Sequence, residues 1–152
     1  PSSADSSKSH FSEEQLSARF PWDLGESLID VTSYPVEQQE AHGLMASKCG
    51  ACHSLARVFN SPFIERRDWE RFIKRMHFKT GKQLDEKTVK RIVDFLVYDS
   101  KIRKVDQQDY FQNKLQNLED LYQQIQQEKQ RIGFTASSTP ETKMIDYTGD
   151  KP

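Results

Sequence analysis

The sequence lacks several features that would place it in a common class. Hydrophobic residues make up only 35% of its 152 residues, below the roughly 45–50% usual for globular domains. Part of the chain must therefore be extended, or its core must include a bound cofactor. No run of about 18 uncharged apolar residues occurs, which excludes a membrane-spanning helix. Strand-like alternation of useful length and internal repeats are also missing, so the sequence predicts an all-α fold.

Charged residues are plentiful, and they are unevenly distributed. The whole chain has a net charge of −1, but by the same count residues 1–47 carry −6, residues 57–104 carry +7 and residues 105–152 carry −3. Single charges usually belong to solvated faces, whereas a basic block of this size predicts a field that attracts an acidic protein partner. We expect no nucleic-acid binding, because no basic-aromatic recognition motif accompanies the charge.

Helices are predicted for the middle of the chain. Apolar residues at i, i+3, i+4 and i+7 indicate two of them, and Pro35 marks the first turn of another. Asp68 and Asp85 are the expected N-caps of the second and third helices, and Gly81 is the expected stop of the second. A loop is predicted over residues 57–65. The predicted helices cover residues 35–48, 68–79 and 85–98.

A further helical pattern runs over residues 102–133, where Gly133 is the expected end. Its apolar residues alternate in steps of four and three, which is heptad spacing with one lysine at a core position. The surrounding positions are polar, so this helix has a single apolar seam to bury. The seam can pair with a second copy, dock on a larger complex or fold back on the rest of the chain. The heptad seam consists of Phe111, Leu115, Leu118, Tyr122, Ile125, Lys129 and Ile132.

One pentapeptide contains the residues that most clearly indicate a cofactor site. The chain has two cysteines, and they belong to the run Cys49-Gly50-Ala51-Cys52-His53. This run matches C-x-x-C-H, the signature of c-type haem attachment. A short turn holds two thiols at the separation of two vinyl groups on one porphyrin edge, and the adjacent histidine then reaches the iron. The other histidine nitrogen needs an acceptor, and we expect the carbonyl of Pro62 to supply it.

Other interpretations of the pentapeptide are weaker. A thioredoxin-like C-x-x-C site follows a strand, and no strand is predicted before Cys49. A zinc site needs a fourth protein ligand, and the candidates His42 and His77 do not belong to a ligand-type pair. A disulfide between Cys49 and Cys52 would be strained and would close almost no loop. The sequence therefore predicts one covalently attached haem c.

Residues 31–100 resemble the small bacterial monohaem class I c-type cytochromes. The likeness lies in a helix that ends in C-x-x-C-H, in the run from Trp69 to Met76 and in the helix predicted over residues 85–98. It implies a haem between the helices, ligated by His53 and a methionine on opposite faces. It also implies that Gly43, paired with Leu44, lets the last helix cross closely. Only 23 positions separate His53 from Met76, fewer than in larger members, so more of the haem edge would be exposed.

The distal iron ligand expected from this resemblance is Met76. Met76 shares an apolar helix face with Trp69, Phe72 and Ile73, although a methionine in such a stripe is usually a core residue. His77 and Lys74 are the alternatives, together with an open iron position. His77 lies about 100° around the helix from Met76, towards the polar side.

Several other side chains are candidate haem contacts. Trp69 is either an aromatic core residue or a donor of its indole N–H to a haem propionate. Phe72 is expected on the haem-facing side of the same helix. Arg57, Arg66 and Arg67 are further candidates for binding a propionate.

We predict a chain in four parts. Residues 1–30 form an extended, partly disordered arm, residues 31–101 a cytochrome c domain, residues 102–133 a coiled-coil helix and residues 134–152 a polar tail. The expected function is electron transfer, without an enzyme activity of its own, docked to or within a larger respiratory or photosynthetic complex. The alternatives are a haem enzyme or ligand sensor with an open distal position, or a structural adaptor.

The expected location is the periplasm, because the resemblance implies thioether attachment outside the cytoplasmic membrane. The sequence begins at Pro1 without an initiator methionine. This start fits an exported protein whose signal peptide has been removed, and it fits a shortened chain equally well.

Overall fold

The computed structural model describes residues 9–49, 52–80 and 84–135. Residues 1–8 of the predicted arm, the expected stop Gly81 and most of the predicted tail lie outside these residues. Helices make up most of the described chain and no β-strand occurs in it, which confirms the predicted all-α class. No helix in these three ranges is both long enough and apolar enough to cross a membrane.

The chain divides into two compact units. The first takes its described residues from the segments Pro1–Ile29, Gly50–Ser61 and Gln112–Ser137, and the second takes its described residues from Asp30–Cys49 and Pro62–Phe111. Each unit is therefore built from segments that are far apart in the sequence. The four continuous parts proposed from the sequence stay a prediction.

The second unit is built around three helices. Helix α2 covers Val36–Cys49, α4 covers Arg66–Thr80 and α5 covers Glu86–Ser100, with α5 packed against both others. The Asp85 side chain accepts a hydrogen bond from the Thr88 amide at 2.7 Å and caps α5, as predicted. The apolar stripes meet in one core. Its buried residues include Met45, Trp69, Phe72, Ile73, Ile92, Val93, Phe95 and Leu96.

Three local predictions in this region are wrong. Helix α4 begins two residues before Asp68, so Asp68 lies in its first turn and is not the N-cap. Residues 57–60 belong to helix α3, Cys52–Asn60, and only residues 61–65 form the predicted loop. Gly43 is exposed, and a Cβ built on it has no heavy atom within 4 Å. Among the described residues, no neighbouring helix therefore approaches closely at Gly43.

A buried polar network lies at the C-terminal end of α5. The Tyr34 hydroxyl donates to Asp99 at 2.7 Å, and the Arg103 guanidinium binds both Asp99 oxygens at 2.6 and 2.7 Å. Burial, together with the hydrogen bond to Asp99, raises the pKa of Tyr34. Because every member has a partner, the network can be buried without a large desolvation cost.

A π-helical segment, Lys101–Val105, follows α5 directly. The Asp106 amide donates to the Lys101 carbonyl at 2.8 Å, which is the i to i+5 bond of a π-helix. This segment places Lys104 inside the unit, where it is 2% exposed. Its ammonium donates to the Phe63 carbonyl at 2.9 Å and lies 4.9 Å from the Trp69 ring centroid. Burial, and then the nearby Arg103 charge, lower the pKa of Lys104.

The last described helix, α6, covers Gln108–Ile132. It starts later than the predicted residue 102 because of the π-helical segment. Gly133 has a positive φ of 65° and follows the last helical residue, as predicted, since glycine adopts the left-handed conformation at low cost. Lys129, the lysine of the heptad seam, has its ammonium 5.9 Å from the ring centroid of Phe134.

The first unit combines an N-terminal arm with α3 and most of α6. The arm contains the short helix α1, Glu13–Leu16, with a capping box at Ser12, and the 3₁₀ helix Pro21–Leu24. The Tyr122 hydroxyl donates to the Arg19 carbonyl at 2.9 Å. Two heptad-seam residues of this unit are buried, Ile125 completely and Leu118 at 9% exposure, and its other seam residues are half-buried. Their burial within one chain favours the fold-back interpretation of the seam over pairing with a second copy.

Candidate haem-attachment site

The C-x-x-C-H pentapeptide lies where one helix ends and the next begins. Helix α2 ends at Cys49, which is half-buried, and α3 begins at Cys52, so His53 lies in the first turn of α3. Gly50 and Ala51, and the side chains of Cys52 and His53, lie outside the described residues. The backbone therefore gives both cysteines helix-terminal positions separated by two residues.

Helix α3 continues for two turns beyond His53, and its second half is buried. Ala56, Val58 and Phe59 are apolar, as expected of a buried helix face, but Arg57 and Asn60 are buried among them. A nine-residue helix is too short to be stable alone and needs tertiary contacts. The N-terminal arm supplies contacts to both of these polar side chains.

Arg57, a candidate propionate partner, forms a buried ion pair with Asp23. Arg57 Nε lies 2.6 Å from Asp23 Oδ1, and an Arg57 terminal nitrogen lies 2.8 Å from Asp23 Oδ2. Arg57 is 6% exposed and Asp23 is 4% exposed. Two parallel hydrogen bonds between a guanidinium and a carboxylate fix the orientation of both groups. A haem propionate that bound Arg57 would have to share the guanidinium with Asp23 or displace Asp23. The sequence did not predict this partner for Arg57.

Asn60, at the last position of α3, also binds the arm. Its Nδ2 donates to the Glu26 carbonyl at 2.9 Å and to the Ala56 carbonyl at 2.8 Å. Gly25 lies directly against this side chain, because a Cβ built on Gly25 would meet Asn60 Cγ and Nδ2 at 2.4 Å. The arm therefore packs on α3 at a position where only a glycine fits.

The loop after α3 is held by the end of α5 and by the π-helical segment. Pro62 is exposed, and the carbonyl of the next residue, Phe63, accepts hydrogen bonds from Lys104 at 2.9 Å and from Ser100 at 3.4 Å. The structure therefore fixes the backbone directly beside Pro62. The expected bond between Pro62 and His53 stays a prediction.

Trp69 is a core residue whose indole N–H already has an acceptor. It is 1% exposed, and Nε1 donates to Ser100 Oγ at 3.0 Å. Its ring makes T-shaped contacts with Phe63 and Phe72, at centroid distances of 5.6 and 5.8 Å. The proposed propionate bond from Trp69 would require the loss of the bond to Ser100, and it stays a prediction.

The three candidate distal ligands differ in what the structure describes of them. Met76 is half-buried at the C-terminal end of the buried stripe of α4, whereas Lys74 is exposed. The side chain of His77 lies outside the described residues. Arg66 and Arg67 are exposed, and Arg66 binds Asp94 at 2.7 Å. Of the candidates whose side chains are described, Met76 is the one that continues the apolar face.

The zinc alternative gains no support from the described side chains. Within them, no group of three or more His, Cys, Asp and Glu residues could hold a metal ion. His42 packs on Phe95 with a centroid distance of 5.5 Å, and burial lowers the pKa of its imidazole. His42 and Cys49 are two turns apart on α2, or about 10 Å along the axis. That separation is too long for two ligands of one zinc ion.

Comparison of the chain with protein-family models, curated proteins and solved structures gave no match.

Proposed function

We propose that this chain carries one haem c and transfers single electrons. The observation that carries the proposal is the Cys49–His53 pentapeptide, whose two cysteines fall at the end of one helix and at the start of the next. In this proposal Cys49 and Cys52 form the thioether bonds, and His53 and Met76 hold the iron. The resemblance to class I cytochromes supports the same assignment.

The side chains of Cys49, Cys52, His53 and Met76 are chemically suited to bind a haem. Two thiols, an imidazole and a thioether are the side chains that attach a haem and give a low-spin iron. The bound haem would supply a one-electron carrier, while the chain fixes its ligands and excludes water. Phe72, together with Ile73, gives α4 a buried apolar face that ends at Met76. We assign these residues to the apolar environment of the haem.

The expected partner is an acidic redox protein, and we place the chain in the periplasm or on the outer side of a membrane complex. Exposed basic side chains on α4 and α5 include Arg67, Lys74 and Lys87. Charges of this kind accelerate association with an acidic surface, and salt screens the effect. Because every residue of the heptad seam is at least half-buried within the chain, we favour docking through other surfaces over a self-dimer through residues 102–133.

The first test is whether the protein contains covalent haem. The full chain is produced in cells that carry out cytochrome c maturation, and the purified protein is weighed by mass spectrometry. We expect the polypeptide mass plus one haem, retained under denaturing conditions. Cys52→Ser should reduce the attachment to a single thioether bond. Colourless protein with the mass of the bare polypeptide would refute the proposal.

The second test separates Met76 from an ordinary core methionine. Met76→Leu should remove the sulfur-to-iron charge-transfer band of the oxidised protein and change the reduction potential. The matched control is Met45→Leu, which makes the same change at a completely buried methionine of α2. Equal spectra for the two variants would contradict the assignment of Met76.

A haem enzyme or ligand sensor is the second candidate function. The observation that favours it is the partial exposure of Met76, because an incompletely enclosed ligand is more easily displaced. Rapid carbon monoxide binding to the reduced wild-type protein would support this candidate, and a stable low-spin spectrum under carbon monoxide would support electron transfer.

A further inference from the structure

We infer that Asp23 and Arg57 are positioning residues for His53, and that the N-terminal arm is the element that orients the haem-attachment helix. This inference rests on the proposed function, since it assigns residues that hold the proximal ligand of the haem. It concerns the first unit alone, where the arm, α3 and part of α6 are described together.

The position of Arg57 on α3 connects the ion pair to His53. His53 and Arg57 are four residues apart, or about one helical turn, so both lie on one face of α3. The guanidinium is held at two points by the Asp23 carboxylate, at 2.6 and 2.8 Å. A two-point contact restricts rotation of α3 about its axis as well as translation along it, which a single hydrogen bond would not do.

The Asp23 carboxylate is itself held rigidly by the arm. Its Oδ2 accepts from the Arg19 amide at 2.9 Å and from the Phe20 amide at 3.2 Å. The Phe20 ring lies under the Arg57 guanidinium, with 5.1 Å between its centroid and Cζ. The carboxylate therefore has a fixed direction before Arg57 binds it, and the buried charges on both sides have partners.

Two further contacts complete the support of α3. Asn60 at the end of the helix binds the Glu26 carbonyl of the arm at 2.9 Å. The Arg19 carbonyl of the arm also accepts a hydrogen bond from the Tyr122 hydroxyl of α6 at 2.9 Å. The arm is thus fixed by α6 and in turn fixes α3 at two side chains, Arg57 and Asn60, that lie within two turns of His53.

The alternative is that the ion pair serves only the stability of the unit. Buried ion pairs often add little net stability, because desolvation offsets much of the attraction. A purely structural pair would change unfolding and leave the iron unaffected as long as the protein is folded. A positioning pair changes the orientation of the axial imidazole, and the haem spectrum detects that change.

The test compares Asp23→Asn with Asp94→Asn in the full haem-bearing chain. Both replace a carboxylate that binds an arginine, but the Asp94–Arg66 pair is exposed and joins two helices of the second unit. The readouts are the proton NMR shifts of the haem methyl groups in the oxidised protein, which depend on the plane of the axial imidazole, and amide hydrogen exchange of α3 and α5.

We expect Asp23→Asn to change the methyl shifts and to speed the exchange of α3 amides about tenfold or more relative to α5, since a hydrogen bond to a charged group contributes at least that much. Arg57→Lys keeps the charge but loses the two-point contact, and it should change the shifts in the same direction. Asp94→Asn should change neither. If Asp23→Asn accumulates without haem, the charge-conserving Arg57→Lys variant decides between the two roles.

Two outcomes overturn the inference and are distinguishable. In the first, the wild-type protein carries haem, and Asp23→Asn and Arg57→Lys leave the haem methyl shifts unchanged. This result would refute the positioning role alone and leave the proposed function standing. Wild-type protein with no haem would refute both.

Discussion

Replacement of Gly25 by alanine tests the contact between the arm and α3 with a single methyl group. The added Cβ would lie 2.4 Å from Cγ and Nδ2 of Asn60 and 2.7 Å from its Oδ1. Asn60 is 1% exposed and its Nδ2 donates to three carbonyls, at 2.8, 2.9 and 3.4 Å, so it cannot turn away without losing hydrogen bonds. Gly25 has φ −81°, which alanine adopts readily, so the cost comes from the contact alone.

The expected effect is a net loss of stability. Overpacking of a buried contact costs about 1–3 kcal/mol, and the smaller conformational freedom of unfolded alanine offsets about 0.4–1 kcal/mol of it. We therefore expect Gly25→Ala to lower the free energy of unfolding by about 1–2 kcal/mol. Gly43→Ala is the matched control, because Gly43 is exposed within α2 and has open space around it. It should raise stability by about 0.5–1 kcal/mol.

Denaturant unfolding followed by circular dichroism at 222 nm measures both effects. The double variant Gly25→Ala/Asn60→Ala adds a third test, because removal of the amide leaves room for the methyl group. The free energy of unfolding should fall by less in the double variant than the sum of the decreases in the two single variants. A Gly25→Ala protein as stable as Gly43→Ala would refute the described contact.

Three further predictions concern the second unit, and denaturant unfolding checks each of them. Phe95→Ala should cost about 3–5 kcal/mol, because Phe95 is completely buried, and a loss under 1 kcal/mol would contradict its place in the core. Tyr34→Phe should cost about 0.5–2 kcal/mol, since it removes one donor to Asp99; an unchanged midpoint would argue against that bond. The pKa of Lys104 is lowered by burial, so folding releases a proton between that lowered pKa and about 10.4. Across this window the stability of wild type relative to Lys104→Met should rise by about 1.4 kcal/mol per pH unit, whereas the exposed control Lys87→Met should show no such trend.

The helices of the second unit could be predicted because their signals are local. Apolar residues three and four positions apart show α4 and α5 in the sequence, and the structure buries most of those residues. The cap at Asp85 was also predictable, since an aspartate before an amphipathic run accepts from an amide three residues later. The start of α4 could not be predicted in this way, because the Trp69 amide donates to the Glu65 carbonyl at 3.2 Å. The first turn of the helix therefore includes Asp68, which cannot act as its N-cap.

The second half of α3 was predicted as a loop because its polar residues obscured the helical pattern. Arg57 and Asn60 are residue types that usually face solvent, and here both are buried. Their partners in the arm lie 34 residues earlier in the chain. No local pattern indicates such a pair, so the contacts that support α3 could be found only in the structure. The C-x-x-C-H motif could be recognised from the sequence alone, because its five residues are contiguous.

The exposure of Gly43 shows the limit of argument by resemblance. In class I cytochromes the corresponding glycine is expected to permit a close helix crossing, but here the buried residues of α2 are Ala41 and Met45, on either side of it. Helices α2 and α5 pack through these larger side chains and through ring contacts such as that of His42 with Phe95. The Gly43-Leu44 pair thus lies in a helix, as the resemblance implies, but it does not mark the contact between α2 and α5.

The bond between Tyr122 and Arg19 spans 103 residues and has a consequence for biosynthesis. A polypeptide leaves the ribosome or a translocation channel from its N-terminus, so the arm and the pentapeptide emerge well before α6. The first unit can close only after Tyr122 has followed them, and contacts of such long sequence separation form late and slowly. During that interval the Cys49–His53 pentapeptide has been synthesised and α6 has not. If the pentapeptide attaches haem as proposed, this order of the segments would give a maturation enzyme time to act before the first unit has closed.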